Sequence, residues 1–176
     1  MLSALTASMA AYLAAYIGLL LLASAAHKFA DPQRAREAVR SLLGLGEAGT
    51  RSAWMAAAAL EIAAAVAVLS TDARLAGAVL AATLWAGYVA AILLAVLRGK
   101  SVDCGCSFGG GRQHSVTASL GRSTALLLLA IALAATNIVL PAQALGVLAI
   151  LGGVALLVLH VAFDLTHPPA PGTVST

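Results

Sequence analysis

LAGAVLAATLWAGYVAAILLAVL, residues 75–97, contains no charged side chain along its whole length. A helix needs roughly 20 predominantly apolar residues to cross a hydrocarbon layer about 30 Å thick, and this stretch supplies them. Its Ala and Leu are strong helix formers. Gly77, Thr83 and Gly87 are small enough to let a second helix come close inside lipid. The stretch therefore reads as a membrane-spanning helix, and the rest of the chain follows the same pattern.

Outward from it, the same criteria pick out residues 5–26 and 52–69 on the amino-terminal side and residues 123–139 and 142–163 on the carboxy-terminal side. Only NIVLPAQ separates the last two, and Asn137 and Pro141 supply turn chemistry there, so the pair reads as a tight hairpin or as one kinked element. The expected fold is an all-α, polytopic membrane helix bundle of four or five transmembrane helices. The whole-chain composition agrees: 61% hydrophobic residues, 10% charged residues and a mean hydropathy of +0.98 exclude an ordinary water-soluble domain.

The first apolar stretch contains ASA at 23–25, a cleavage-like sequence, but residues 1–10 carry no Lys or Arg and the stretch is long for a signal core. It is read as a retained span. Residues 1–165 then form a single transmembrane domain, and 166–176, rich in Pro and Thr, are expected to be a disordered tail.

The first two spans are joined by HKFADPQRAREAVRSLLGLGEAGTR, residues 27–51. Asp31 before Pro32 signals a helix start, and Ala35, Ala38, Val39, Leu42 and Leu43 keep a three-four spacing until Gly44. This predicts a short amphipathic interfacial helix with Arg34, Arg36 and Arg40 turned to water or lipid phosphates.

The net charge of +3 and pI near 9.2 do not indicate a nucleic-acid partner, because the basic residues are spread between apolar runs instead of forming one stripe. They act as topology signals. Lys28, Arg34, Arg36, Arg40 and Arg51 fall in one connection and Arg98, Lys100, Arg112 and Arg122 in another, against Arg74 alone on the alternate side. The positive-inside rule makes the two basic connections cytoplasmic.

Both cysteines of the chain, Cys104 and Cys106, lie in the second basic connection, within SVDCGCSFGGGRQHS. Sulfurs this close in sequence form a disulfide only through a small strained ring, and strain makes the bond easier to reduce. Gly105 permits the backbone angles this requires. Arg112, His114 and Lys100 favour a thiolate, whereas Asp103 opposes one or accepts its proton. A metal site is the competing chemistry, but two Cys with His114 and Asp103 fall short of a convincing ligand set, and no metal is assigned. The bland alternative is a pair of unreactive loop cysteines.

Glu61 lies near the middle of the second span, where a lone carboxylate costs a few kcal/mol and normally faces the bundle interior. As a functional group it relays a proton or bonds a substrate; as a structural one it pairs with a helix hydroxyl, a Trp or a Tyr. Lys28, at the end of the first span, either marks the interface or turns inward to pair with Glu61. His160 and Asp164 are four residues apart on the last span and are read first as interface anchors. Trp54, Trp85, Tyr12, Tyr16 and Tyr88 are either belt residues or walls of an aromatic pocket.

Taken in order, AAHKFADP closing the first span, ALEIAAAVAVL in the second, and LRG leading from the third into DCGC resemble the MauE family of redox-associated membrane proteins, and more loosely DoxX-like proteins. The family signature, Cys-Gly-Cys-Phe-Gly with a basic residue opening the next span, is matched by Cys104, Gly105, Cys106, Phe108 and Gly109 with Ser107 as an insertion and Arg122 in the basic position. The resemblance extends over about residues 12–160 and includes a Glu at the place of Glu61. It implies thiol chemistry beside a thioredoxin-like protein or thiol substrate, as in maturation of the disulfide-rich small subunit of methylamine dehydrogenase. It also implies an analogy to helical-bundle oxidoreductases such as DsbB and vitamin K epoxide reductase, with a quinone as candidate electron acceptor. The alternative is a non-catalytic membrane scaffold or subunit of a maturation complex. Disulfides are usually made outside the cytoplasm, which sets this implied role against the orientation that the charges favour.

Overall fold

A computed structural model describes residues 2–98, 116–136 and 147–166. All secondary structure among these residues is helical: α1 (Leu2–Ala30), α2 (Pro32–Leu43), α3 (Glu47–Leu69), α4 (Arg74–Leu97), α5 (Val116–Ala135) and α6 (Val147–Thr166). Among the described residues, three stretches are long and apolar enough to cross a membrane: Ala7–Ala30, Glu47–Leu69 and Arg74–Leu97. Ser119–Ala135 and Ala149–Ala162 are shorter apolar helical stretches. The all-α expectation holds.

α1, α3 and α5 extend beyond the apolar runs that announce them. α1 continues through His27, Lys28 and Phe29, and α3 starts at Glu47, well before the apolar run at Ser52. α5 begins at Val116, not at Ser123, so Arg122 lies inside the helix and does not open it. Hydropathy marks where lipid is expected, whereas backbone hydrogen bonding carries a helix on through polar residues at its ends. The turn residues Asn137 and Pro141 lie outside the described residues.

Packing runs α6–α1–α3–α4–α5, each helix lying mainly against its neighbours in that order, with α1 also touching α5. α1 and α3 are antiparallel: Lys28 near the end of α1 reaches Glu61, while Gly18, further back, lies against Leu69. α3 and α4 are antiparallel too, since Glu61 meets Tyr88 and Val68 meets Gly77. α6 runs parallel to α1, with Gly152 on Tyr12 and His160 on Tyr16.

The core is small-residue packing. Ala10, Ala11, Ala14, Ile17, Leu20 and Leu21 of α1 meet Ala64, Ala65 and Val68 of α3, and Ala78, Ala81 and Trp85 of α4 extend the same cluster. At Gly77 the approach is closest: a Cβ there would lie 2.3 Å from the Val68 backbone nitrogen. Only a residue without a side chain allows α3 and α4 to touch backbone to backbone at this point.

The α3–α4 turn is closed by polar groups. Ser70 Oγ donates to the Ala67 carbonyl (2.9 Å) and accepts from the Ala73 N–H (3.2 Å). The buried guanidinium of Arg74 donates through Nε to the Val68 carbonyl at 3.3 Å, placing a cation at the carbonyl-rich end of α3. The lone basic residue of this end is thus a helix cap.

At the opposite end, α2 forms where the sequence predicts. The Asp31 carboxylate accepts from the Arg34 N–H at 3.1 Å, Pro32 occupies the first turn, and Gly44 ends the helix in the left-handed region at φ 67°. α2 rests on α3 and α4, burying Ala38, and Leu42 joins Ile92, Ala95 and Leu120 in a second apolar cluster. Leu43 is exposed, so the inward stripe is narrower than the spacing implies. Arg36 lies over the Trp54 ring at 5.2 Å, with Phe29 edge-on to the same ring at 5.7 Å. One of the predicted outward cations therefore covers an aromatic face.

Candidate functional site

The inward face of α3 is Thr50, Trp54, Ala58, Glu61, Ala64, Ala65 and Val68, a continuous three-four stripe. Glu61 belongs to that stripe, so the rotation that buries Ala58 and Ala65 also buries the carboxylate. It is 1% exposed. On α4 the stripe Ala81, Trp85, Ile92 and Ala95 has Tyr88 at the intervening position. On α1 Ile17 and Leu21 are followed at the same spacing by Ser24 and Lys28. The polar side chains of three helices thus meet at one level of the bundle because each occupies a core register.

The contacts form a closed network. Lys28 Nζ donates to Glu61 Oε1 at 2.7 Å and to Oε2 at 2.9 Å, and to Ser24 Oγ at 2.9 Å. Ser24 Oγ in turn donates to Glu61 Oε1 at 3.0 Å. Tyr88 Oη donates to the same oxygen at 2.6 Å, and its ring faces the Lys28 ammonium at 5.8 Å. An ammonium has three N–H donors, and all three have acceptors here. A buried carboxylate in an apolar bundle is tolerated only when its charge is matched and its lone pairs are bonded, and this arrangement does both.

Lys28 turns inward, and Glu61 has both kinds of partner the sequence allows, a cation and helix hydroxyl or phenol groups. Ser24 and Tyr88 complete the cluster. Their signal in the sequence is positional: Ser24 is one turn before Lys28, and Tyr88 is one turn after Trp85.

Of the remaining aromatics, Tyr16, Trp54 and Trp85 lie inside, whereas Tyr12 is exposed. Trp54 and Trp85 are buried, Tyr12 lies against Gly152, and Tyr16 shares a 2.8 Å hydrogen bond with His160 Nδ1. His160 is therefore an α1–α6 contact. The side chain of Asp164 lies outside the described residues, as do Asp103, Cys104, Gly105, Cys106, Ser107, Phe108, Gly109, Arg112 and His114. Among the described residues no group of His, Cys, Asp and Glu could hold a metal ion.

The site sits at mid-height of α3 and α4 and at the end of α1, where the chain turns into the basic end of the bundle. Lys28 is in the last turn of α1, directly before α2, and α4 runs on from Tyr88 to Arg98 at that end. Leu120, one turn into α5, packs there against Ile92 and Ala95. Arg98 and α5 bracket the stretch that contains both cysteines.

No curated protein matches the chain. No solved structure matches it either. The family model of the methylamine utilisation protein MauE, in contrast, matches residues 6–136, which takes in α1 to α5 with Ser24, Lys28, Glu61, Tyr88 and both cysteines, and the chain belongs to the MauE family.

Proposed function

We propose that this MauE-family membrane protein is a thiol–disulfide redox protein that acts through Cys104 and Cys106 on a thioredoxin-like protein or a small thiol, in protein maturation connected with methylamine utilisation. The observation that carries the reading is the buried Lys28–Glu61–Tyr88 network at mid-height of α3 and α4, in a bundle one end of which holds Leu120 and the end of α4, the described residues on either side of Cys104-Gly105-Cys106. That network keeps ionised and proton-donating groups within an otherwise apolar bundle, at a cost of several kcal/mol in desolvation that an inert span would not carry.

In the exchange, a thiolate of the partner attacks the Cys104–Cys106 disulfide and forms a mixed disulfide. The partner's second thiol displaces it, so the partner ends as a disulfide and Cys104 and Cys106 as two thiols. Restoring the disulfide from that dithiol requires an acceptor of two electrons and two protons, a role that a lipid-soluble quinone would fill on becoming a quinol. Gly105 allows the strained ring, and Phe108 and Gly109 complete the motif. Arg112 and His114 favour the thiolate and Asp103 takes up its proton, while Glu61 and Lys28 serve as supporting proton-exchange groups. The basic end faces the cytoplasm in this reading.

The test is exchange with a reduced thioredoxin-like substrate in reconstituted membranes. Cys104→Ser and Cys106→Ser should each abolish turnover, and one of them, offered the substrate in its oxidised disulfide form, should give a mixed disulfide visible by mass spectrometry. Full turnover in the double Ser variant refutes the reading and leaves the scaffold role. A membrane-impermeant maleimide applied from each side checks the orientation.

A further inference from the structure

Near the end of α1 an ammonium group is held as a ligand would be. Lys28 Nζ has acceptors for all of its N–H groups in Glu61 Oε1, Glu61 Oε2 and Ser24 Oγ, at 2.7, 2.9 and 2.9 Å, and lies 5.8 Å from the centre of the Tyr88 ring. A carboxylate, a hydroxyl and an aromatic face are the groups that recognise a primary ammonium. None of these groups belongs to Lys28. Glu61, from α3, Ser24, from α1, and Tyr88, from α4, are the receptor, and Lys28 is an occupant tethered by its own stem.

We infer that Glu61, Ser24 and Tyr88 form an intramembrane binding site for a small primary alkylammonium, a class that includes methylammonium, and that Lys28 is its resident competitor. The Lys28 side chain retains 12% exposure against 1% for Glu61, so the route to the carboxylate follows the course of that side chain. When a free ammonium enters, Lys28 swings towards the nearby basic end, where a long cationic side chain keeps its charge hydrated. The pairing exchanges one ammonium for another, so the buried charge stays matched throughout. A competitor tethered by its own stem acts at a high effective concentration, so the free amine binds the wild type more weakly than it binds a chain without that competitor. The inference shares Glu61 and Lys28 with the redox reading, but its test reads amine binding and not thiol turnover, so the two fail separately.

The test is saturation-transfer NMR of methylammonium on the full chain in detergent or nanodiscs. Transfer is expected with the wild type, and none to tetramethylammonium, which has no N–H to donate. Glu61→Gln should abolish the signal. Lys28→Ala removes the competitor and should lower the Kd about tenfold or more. In that variant n-propylammonium, which has the three carbons of the missing stem, should bind up to about fourfold more tightly per added CH2.

Absence of transfer with the wild type overturns the inference, as does equal transfer with Glu61→Gln. Lys28→Ala also leaves a buried carboxylate without its cation, so its folding is a second readout. Recovery of the folded variant only when methylammonium is present supports the site. Failure to recover it at any methylammonium concentration, while Lys28→Ala/Glu61→Gln folds, overturns it.

Discussion

Tyr88 Oη lies 2.6 Å from Glu61 Oε1, joining the middle of α4 to the middle of α3 across 27 residues of chain. The same oxygen also accepts from Ser24 and Lys28, so Tyr88 is one of three donors converging on one point. Tyr88→Phe keeps the ring and removes the donor. Its expected cost is about 1 kcal/mol, between the roughly 0.6 of an average interhelical bond in a membrane protein and the roughly 1.5–3 of a bond to a charged group. Denaturant titration of the purified protein measures it; no change in stability would mean that Lys28 and Ser24 satisfy the carboxylate without help.

Lys28 and Glu61 should behave as a unit. Lys28→Met strands a buried carboxylate and Glu61→Leu strands an ammonium, and each is expected to cost about 3–5 kcal/mol. The double variant Lys28→Met/Glu61→Leu leaves no unmatched charge and should recover most of that loss. Unfolding measurements on the three variants form a double-mutant cycle, and strictly additive losses would show that the pair is not coupled.

Two glycines of α4 give a matched comparison. A Cβ on Gly77 would lie 2.3 Å from the Val68 nitrogen, whereas one on Gly87 meets nothing within 4 Å. Gly77→Ala must push α3 and α4 apart and should destabilise by about 1–3 kcal/mol. Gly87→Ala should be neutral or stabilising by up to about 1 kcal/mol, the helix-propensity difference between the two residues. Equal shifts in melting temperature for the two variants would contradict the close α3–α4 crossing.

α6 is held to α1 by Gly153, whose Cβ would lie 2.9 Å from the Ala15 Cβ, and by the Tyr16–His160 hydrogen bond. Gly153→Leu should separate the two helices without disturbing the Lys28–Glu61 network, which lies on α1, α3 and α4. A disulfide crosslink introduced between α1 and α6 should form readily in the wild-type background and poorly beside Gly153→Leu. Unchanged crosslinking would show that the glycine is not a contact point.

Capping of α2 is the most local of the expectations. Asp31→Ala removes the acceptor of the Arg34 N–H and should cost about 1 kcal/mol. Gly44→Ala forces a side chain into the left-handed region at φ 67° and should cost about 1–2 kcal/mol. Hydrogen exchange of α2 amides reads both: protection should fall in α2 and hold in α3.

Much of this protein is determined within single segments. Apolar length placed α1, α3 and α4, and Asp31-Pro32 with Gly44 delimited α2, because capping and lipid partition depend on residues a few positions apart. Glu61 stood out in the sequence for the same reason, being a carboxylate inside an apolar run. What the tertiary structure decided is which side chains meet. Ser24, Lys28, Glu61 and Tyr88 converge because the crossing of α3 and α4 at Gly77 and the antiparallel approach of α1 set the rotation and height of each helix. The aromatic residues show the same division: their amphipathic character was readable, but whether Tyr88 faced lipid or a carboxylate depended on the turn of α4 about its axis, which is fixed only by its neighbours.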